Sequence, residues 1–275
     1  MTIATAFVEA CIEELRAPKP GNVHIHAPGH RMTVTDFTRS AEISASLLCQ
    51  PGAPLGRRIR DAAAATRTAV GQNTNLGILL LCGPLAMAAE RHQTAASIIA
   101  ASTLDDARAV FEAIRIAQPG GLGSADRHDV RRPATVTLPK AMAEAAARDT
   151  IARQWVTGFA DILTTGLSLY QATRLRWPDP SWAALSVYLT FLATFPDSHI
   201  LRKHGTETAA EVQHQAADVQ RTLTACADPL TLQPQLLAWD AVLKARNINP
   251  GTSADLTVAT SFAWRLGLHS TLDNG

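Results

Sequence analysis

Strand signals are nearly missing from this chain. Alternation at period two is scarce, β-branched and aromatic residues rarely alternate with polar ones, and aromatics make up only 5% of the 275 residues. That argues against a sheet-based fold. Cysteine is sparse: Cys11, Cys49, Cys82 and Cys226 lie far apart with no CxxC spacing. This argues against structural zinc and a disulfide framework, and fits reduced thiols in a cytoplasmic protein. Charge is balanced at +1, so no bulk electrostatic case exists for nucleic acid or an anionic membrane surface. Met1 to Leu15 carries Glu9, Glu13 and Glu14 and lacks the basic start of a signal peptide. The most apolar run, Leu76 to Ala89, is too short to span a bilayer and contains Gly83 and Pro84; it reads as a buried core helix. No GxxxxGK[ST] or GxGxxG segment occurs, so a bound nucleotide would not be held in the P-loop or Rossmann manner. No internal repeat is present.

Alanine and helical periodicity are abundant. Ile3, Phe7, Ala10, Cys11 and Leu15 share one helical face, and Phe37, Ala41, Ser44, Ala45 and Leu48 another, with Thr35 as N-cap. Further helices are expected over residues 55–70, 73–91, 103–117, 181–195, 207–225, 234–246 and 253–268. Thr137 is expected to cap one long helix running to Leu175. The longest irregular segment, Gln118 to Val136, contains Gly120-Gly121-Leu122-Gly123-Ser124-Ala125-Asp126-Arg127-His128-Asp129; loops of that length are often functional. The expected architecture is a single all-α domain, a compact bundle of about ten helices covering residues 1–275.

Three polar, turn-rich segments interrupt the apolar helices. Asn73-Thr74-Asn75 precedes an apolar run. One such residue suffices as a cap, so the cluster reads either as an over-capped buried helix or as a helix N-terminus prepared for an anion. Pro18-Lys19-Pro20-Gly21-Asn22-Val23-His24 and Asn247-Ile248-Asn249-Pro250-Gly251-Thr252-Ser253-Ala254-Asp255 lie near opposite ends of the chain. Lys19, stiffened by its flanking prolines, reads as a turn lysine or a phosphate contact. His24, His26 and His30 could bind a metal or hydrogen-bond phosphate or ribose. Asp197 to Gly205 is a dense polar turn after Pro196, with Asp197 either an N-cap or a site carboxylate. Asp255 suits a helix first turn as a dipole partner and, equally, a hard cation. The three clusters are expected to face one cleft.

Lys19-Pro20-Gly21-Asn22-Val23, the run from Gly71 through Asn73-Thr74-Asn75 to Gly77, and Asn249-Pro250-Gly251 through Ser253-Ala254-Asp255-Leu256 resemble the signature segments of the triphosphoribosyl-dephospho-CoA synthase family. Glu14, Asp36-Phe37 and Ser40-Ala41 also match its pattern, and the resemblance runs from about residue 8 to 265. It implies transfer of the triphosphoribosyl group of ATP to the 2′-hydroxyl of 3′-dephospho-CoA with release of adenine. The product would be the precursor of the prosthetic group of citrate lyase or malonate decarboxylase. It further implies ATP as substrate, Mg²⁺, small-molecule partners only, and no nucleic acid or membrane partner; oligomeric state is left open. On this resemblance Lys19, Arg202 and Asn73-Thr74-Asn75 bind phosphates. Asp36, Asp197 and Asp255 are the candidates for Mg²⁺ ligand and general base. Asn22, Ser40, His199, Asn249 and Ser253 orient ribose or phosphate. Arg31 stands close to a position where the family often has an Asp, which puts more of the carboxylate role on Asp36. Pro119 to Val130 and Arg148-Asp149 through Gln154 look more like a divergent branch that accompanies one-carbon cofactor genes. A related nucleotide-dependent transferase in methanopterin- or methanofuran-type synthesis is therefore an alternative, and a non-catalytic nucleotide-binding helical protein is a third.

Overall fold

The computed structural model describes residues 1–121, 123–124 and 127–268. Leu122, Ala125 and Asp126 of the glycine-rich loop lie outside the described residues. Thirteen α-helices form among those described: α1 (Ile3–Arg16), α2 (Val34–Leu48), α3 (Leu55–Val70), α4 (Leu76–Arg91), α5 (Ala95–Ala100), α6 (Leu104–Ala117), α7 (Leu138–Ala145), α8 (Thr150–Thr157), α9 (Leu167–Arg176), α10 (Pro180–Thr194), α11 (Ser198–Ala225), α12 (Gln233–Ala245) and α13 (Gly251–Arg265). A π-helical turn, Ile162–Gly166, leads into α9, and a 3₁₀ turn, Pro229–Leu232, leads into α12. None of these helices is long and apolar enough to cross a membrane.

Local chemistry explains most of the boundaries. Thr33, rather than Thr35, caps α2: its hydroxyl accepts the Asp36 N–H at 3.4 Å, while Asp36 Oδ2 accepts the Thr33 N–H at 2.7 Å. Thr103 and Asp106 repeat the same box at α6. The expected long helix from Leu138 to Leu175 is instead broken into α7, α8, the π turn and α9. Asp149 caps α8 by accepting the Ile151 and Ala152 N–H groups at 3.0 and 3.1 Å, and Gly158 ends α8 in the left-handed region. α11 starts nine residues earlier than expected, at Ser198 behind the cap Asp197, and kinks at Gly205, whose φ is 84°.

Helices α4 and α10 are apolar on nearly every side and sit inside the bundle. One core joins α1 through α9 with α13, through residues such as Phe7, Leu79, Leu81, Trp155 and Phe262. A second packs Tyr188 and Leu189 of α10 against α11 and α12. Different faces of α10 serve each core, because Val187 and Phe191 belong to the first. A buried polar clamp closes α1 on α9 and α13: Glu13 accepts hydrogen bonds from Tyr170 at 2.6 Å, Ser261 at 2.9 Å and Arg265 at 2.6 Å.

Asp106 does two jobs: besides its part in the α6 cap, its Oδ1 accepts the Gly56 N–H at 2.8 Å, tying α6 to α3. Asp106→Ala removes the cap and strands a buried N–H. It should cost about 2–3 kcal/mol, read as a fall in Tm of roughly 5–10 °C by calorimetry. An unchanged Tm would contradict this account of the α3–α6 contact.

Candidate active site

The first turns of four helices meet around one cavity of about 460 Å³. Gly77 and Leu76 of α4, Ile151 and Ala152 of α8, His199 and Arg202 of α11, and Thr252 and Asp255 of α13 all line it. Helix N-termini carry partial positive charge and N–H groups without intrahelical partners. Side-chain oxygens already take the first-turn N–H groups of Leu76, Ile151, Ala152, His199, Ile200 and Ser253, so the positive ends left to attract an anion to this space are those of α4 at Gly77 and α13 at Thr252.

Asp197 sets two of these helices side by side. Its buried carboxylate caps α11 through Oδ1, accepting the His199 and Ile200 N–H groups at 2.9 and 3.2 Å. Its Oδ2 accepts the Ser253 N–H at 2.7 Å and the Ser253 hydroxyl at 2.8 Å, at the start of α13. Burial pushes this carboxyl up and the four hydrogen bonds pull it back; the net direction is upward. Four donors occupy Asp197, and it does not line the cavity.

Asp255 is different. It lies partly buried on the cavity wall, and among the described residues it has no hydrogen bond or ion pair. Burial, then the nearby Asp197 and Glu14 charges, hold its carboxyl well above the usual range, with Arg202 opposing. Gly77 makes room for it: a Cβ at that position would fall 2.0 Å from Asp255 Oδ2. Arg202 donates from Nη1 to Asp149 at 2.7 Å, while its Nε is buried without a partner. His199 Nε2 is also buried and unpartnered. Burial, with the adjacent Lys203 and Arg202, holds the His199 imidazole down at about 3, so it is neutral near pH 7. Both residues line the cavity, but these two nitrogens are covered by protein, so a ligand would meet them only after the side chains turn.

The other expected site residues sit behind this surface. Lys19 is fully buried, and its three donors are spent on Glu14, on Asn22 Oδ1 at 2.9 Å and on the Val23 carbonyl at 2.9 Å. Burial pulls its ammonium down and pushes the Glu14 carboxyl up, and their mutual attraction opposes both. Asn22 donates on to Asn249 Oδ1 at 2.8 Å. The Lys19 turn is thereby locked to the start of α13. Gly21, with φ of 83°, packs so closely there that a Cβ would meet Pro250 at 2.8 Å. Lys19, expected to contact phosphate, holds this loop and does not line the cavity.

Asn73, two residues before the α4 N-cap Asn75, accepts the Leu76 N–H at 3.1 Å, and it lines the cavity. Thr74 and Asn75 turn away to bind Ser40 at 2.5 Å and Ser44 at 3.3 Å on α2. Asp36 is occupied in the α2 cap and lies outside the cavity lining. His24 is buried against Asp240 at 3.4 Å, and His30 donates to the Gly21 carbonyl at 2.8 Å. Among the described residues no three His, Cys, Asp or Glu side chains converge as a metal cage. The cleft thus brings together Asn73, His199, Arg202 and Asp255, and places Lys19, Asn22, Asp36, Ser40, Thr74, Asn75, Asp197, Asn249 and Ser253 in supporting positions or apart from it.

Residues 1–273 match the CitG family, described as ATP:dephospho-CoA triphosphoribosyl transferase. The chain belongs to that family. A Citrobacter koseri protein named "Probable 2-(5''-triphosphoribosyl)-3'-dephosphocoenzyme-A synthase" is 25% identical over 277 residues, covering 94% of this chain and 88% of that protein. A Pectobacterium atrosepticum synthase of the same activity is 35% identical over 104 residues, 38% of this chain and 32% of its own length. A solved Archaeoglobus fulgidus structure carrying the name triphosphoribosyl-dephospho-CoA synthase shares the fold. Its TM-score is 0.60 at 21% identity, over 84% of this chain and 98% of that one.

In this member of the triphosphoribosyl transferase family, several cavity residues escaped the sequence reading as site residues, Asp149 and Arg148 among them. Asp149, the partner of Arg202, was hidden inside the expected long helix, although a polar residue before Thr150-Ile151 is a cap signal. Arg148 beside it lines the same cavity. The unpaired Asp255 carries a measurable cost. Its native carboxyl is raised above the unfolded value near 3.9, so the native state holds its proton more tightly. Stability falls as pH rises out of the acidic range, and the penalty is complete at pH values above the native pKa. Asp255→Asn should therefore raise the Tm of the ligand-free protein near neutral pH, with the gain shrinking toward pH 4. A variant that lowers Tm at both pH values would refute the unpaired-carboxylate account.

Proposed function

We propose that this protein transfers the triphosphoribosyl group of ATP to 3′-dephospho-CoA within the four-helix cavity. The observation that carries the reading is the convergence of four helix N-termini on a cavity bearing Arg202, in a chain of this family. The bond between C1′ of the ATP ribose and N9 of adenine breaks, and a bond from C1′ to the acceptor's 2′-oxygen forms. The acceptor hydroxyl loses one proton and the departing adenine takes up one, so nothing else is consumed.

The chain's own residues divide this work. Arg202 and the first-turn N–H groups hold the triphosphate as a polyanion. Asp255 accepts the proton of the attacking 2′-hydroxyl. Burial favours the protonated form of this carboxyl, so it serves as the base where cationic charge such as Arg202 returns it toward the ordinary carboxylate range. It also stabilises the cationic, oxocarbenium-like C1′ electrostatically. His199, neutral, offers a hydrogen bond to ribose or phosphate, and Asn73 another. Mg²⁺ fits this donor set in one manner. It asks one or two carboxylates of the protein and takes the rest from phosphate and water; Asp149 would hold it through Oδ2, the oxygen that Arg202 releases on turning to phosphate, since Oδ1 stays in the α8 cap. When bound it would neutralise phosphate charge.

Incubated with ATP, Mg²⁺ and 3′-dephospho-CoA, the protein should release free adenine and no ADP, AMP or pyrophosphate, read by chromatography. Adenine formed only with a pterin-type acceptor would instead support the one-carbon cofactor branch, and no adenine with any acceptor would sink the transferase reading. Arg202→Ala should raise the KM for ATP roughly 10–150-fold, from the loss of a charge-assisted contact worth about 1.5–3 kcal/mol. Asp255→Asn should remove turnover while ATP still binds. Gly77→Ala, which drives a methyl group into Asp255, should lower kcat without touching Arg202.

A further inference from the structure

The cavity has two unlike halves. The helix N-termini, Arg202, His199 and Asp255 make up the polar one. Beyond these, the lining includes Leu80 of α4, Phe111 and Ile114 of α6, Val130 of the loop, and Ala141 and Met142 of α7. These six side chains present no polar atom. Leu80, Phe111, Ile114 and Met142 are all 9% exposed or less, and all belong to the main apolar core. The apolar half is thus a recess in the core, continuous with the anion-attracting half.

Resting on the transferase reading above, we propose that this recess is the seat of the adenine base of ATP, with Phe111, Ile114 and Met142 setting base recognition by shape and apolar contact. The argument is one of reach and chemistry. The reacting ribose carbon lies between the triphosphate and the base. A donor with its phosphates at the helix N-termini and its ribose beside Asp255 must send its base away from the charged half. A flat heterocycle gains from an apolar wall with an aromatic ring and a polarisable thioether in it. The volume is that of a site for one small ligand, so the acceptor approaches from the rim, where Arg148 and Arg127 lie.

Two experiments test this. First, wild-type protein is irradiated with 2-azido-ATP and the label mapped by mass spectrometry. With no acceptor present, the label should fall within residues 111–114 or 141–145. Labelling of the 197–202 segment instead would overturn the assignment. Second, Ala141→Leu projects a larger side chain into the recess. By calorimetry it should weaken ATP at least tenfold while inorganic tripolyphosphate, which has no base, binds within twofold of wild type. Parallel loss of both ligands, or of neither, would overturn it. Both readouts are of binding, so they stand apart from turnover. A protein that seats the base here but never releases adenine would refute the transferase reading and leave this one standing.

Discussion

The site depends on one buried carboxylate. Asp197 accepts two backbone N–H groups from α11 with one oxygen, and the backbone and hydroxyl of Ser253 in α13 with the other. Two helix N-termini would repel each other through their partial positive charges if brought together bare. A carboxylate between them supplies the opposing charge and fixes their relative position. Arg202 is carried on the first of these helices and Asp255 on the second. The distance between the anion-binding charge and the reactive carboxylate is therefore set by a group that touches neither ligand nor cavity. Removing it would strand several buried donors at once, which is costly in a low-dielectric interior.

Around that strut the molecule keeps a second layer of satisfied polar groups and a first layer left unsatisfied. Lys19, Glu14, Asn22 and Asn249 are linked through hydrogen bonds and an ion pair, and Asp240 holds the Gly21 N–H at 2.8 Å. These rigidify the loop packed behind α13. Among the residues that line the cavity, Asp255 has no partner among the described residues, and His199 and Arg202 each keep one buried nitrogen, Nε2 and Nε, without one. Unsatisfied groups cost stability in the empty protein and are repaid when a ligand arrives. The contrast between the two layers separates support from chemistry more sharply than residue type does.

The all-helical class, most helix positions and the family were readable from residue pattern, because caps and periodicity are local properties. Thr103 with Asp106 is one such cap. Alanine-rich stretches misled where a break depends on one residue. Asp149 and Gly158 end and restart helices inside a run that reads as continuous, and Gly205 kinks α11 without ending it. For the cavity, motif membership located segments that border it and could not say which side chain faces inward. Lys19 and Asp197 carry charge in polar turns, and both turn out to be buried scaffolding. Whether a charge is exposed or fully paired is decided by distant partners such as Glu14 and Ser253. Phe111 and Met142 were invisible for the opposite reason: a residue lining an apolar recess has the same periodicity as one filling the core.

The central claim is that the four converging helix N-termini, with Arg202, hold the triphosphate of ATP. A crystal structure of the protein with ATP bound and no acceptor present tests it most directly. The account predicts phosphate oxygens within hydrogen-bonding distance of Arg202 and of first-turn N–H groups of α13 and α4, with the ribose C1′ facing Asp255. Phosphates bound elsewhere, with Arg202 still turned to Asp149 alone and the cavity empty, would contradict it.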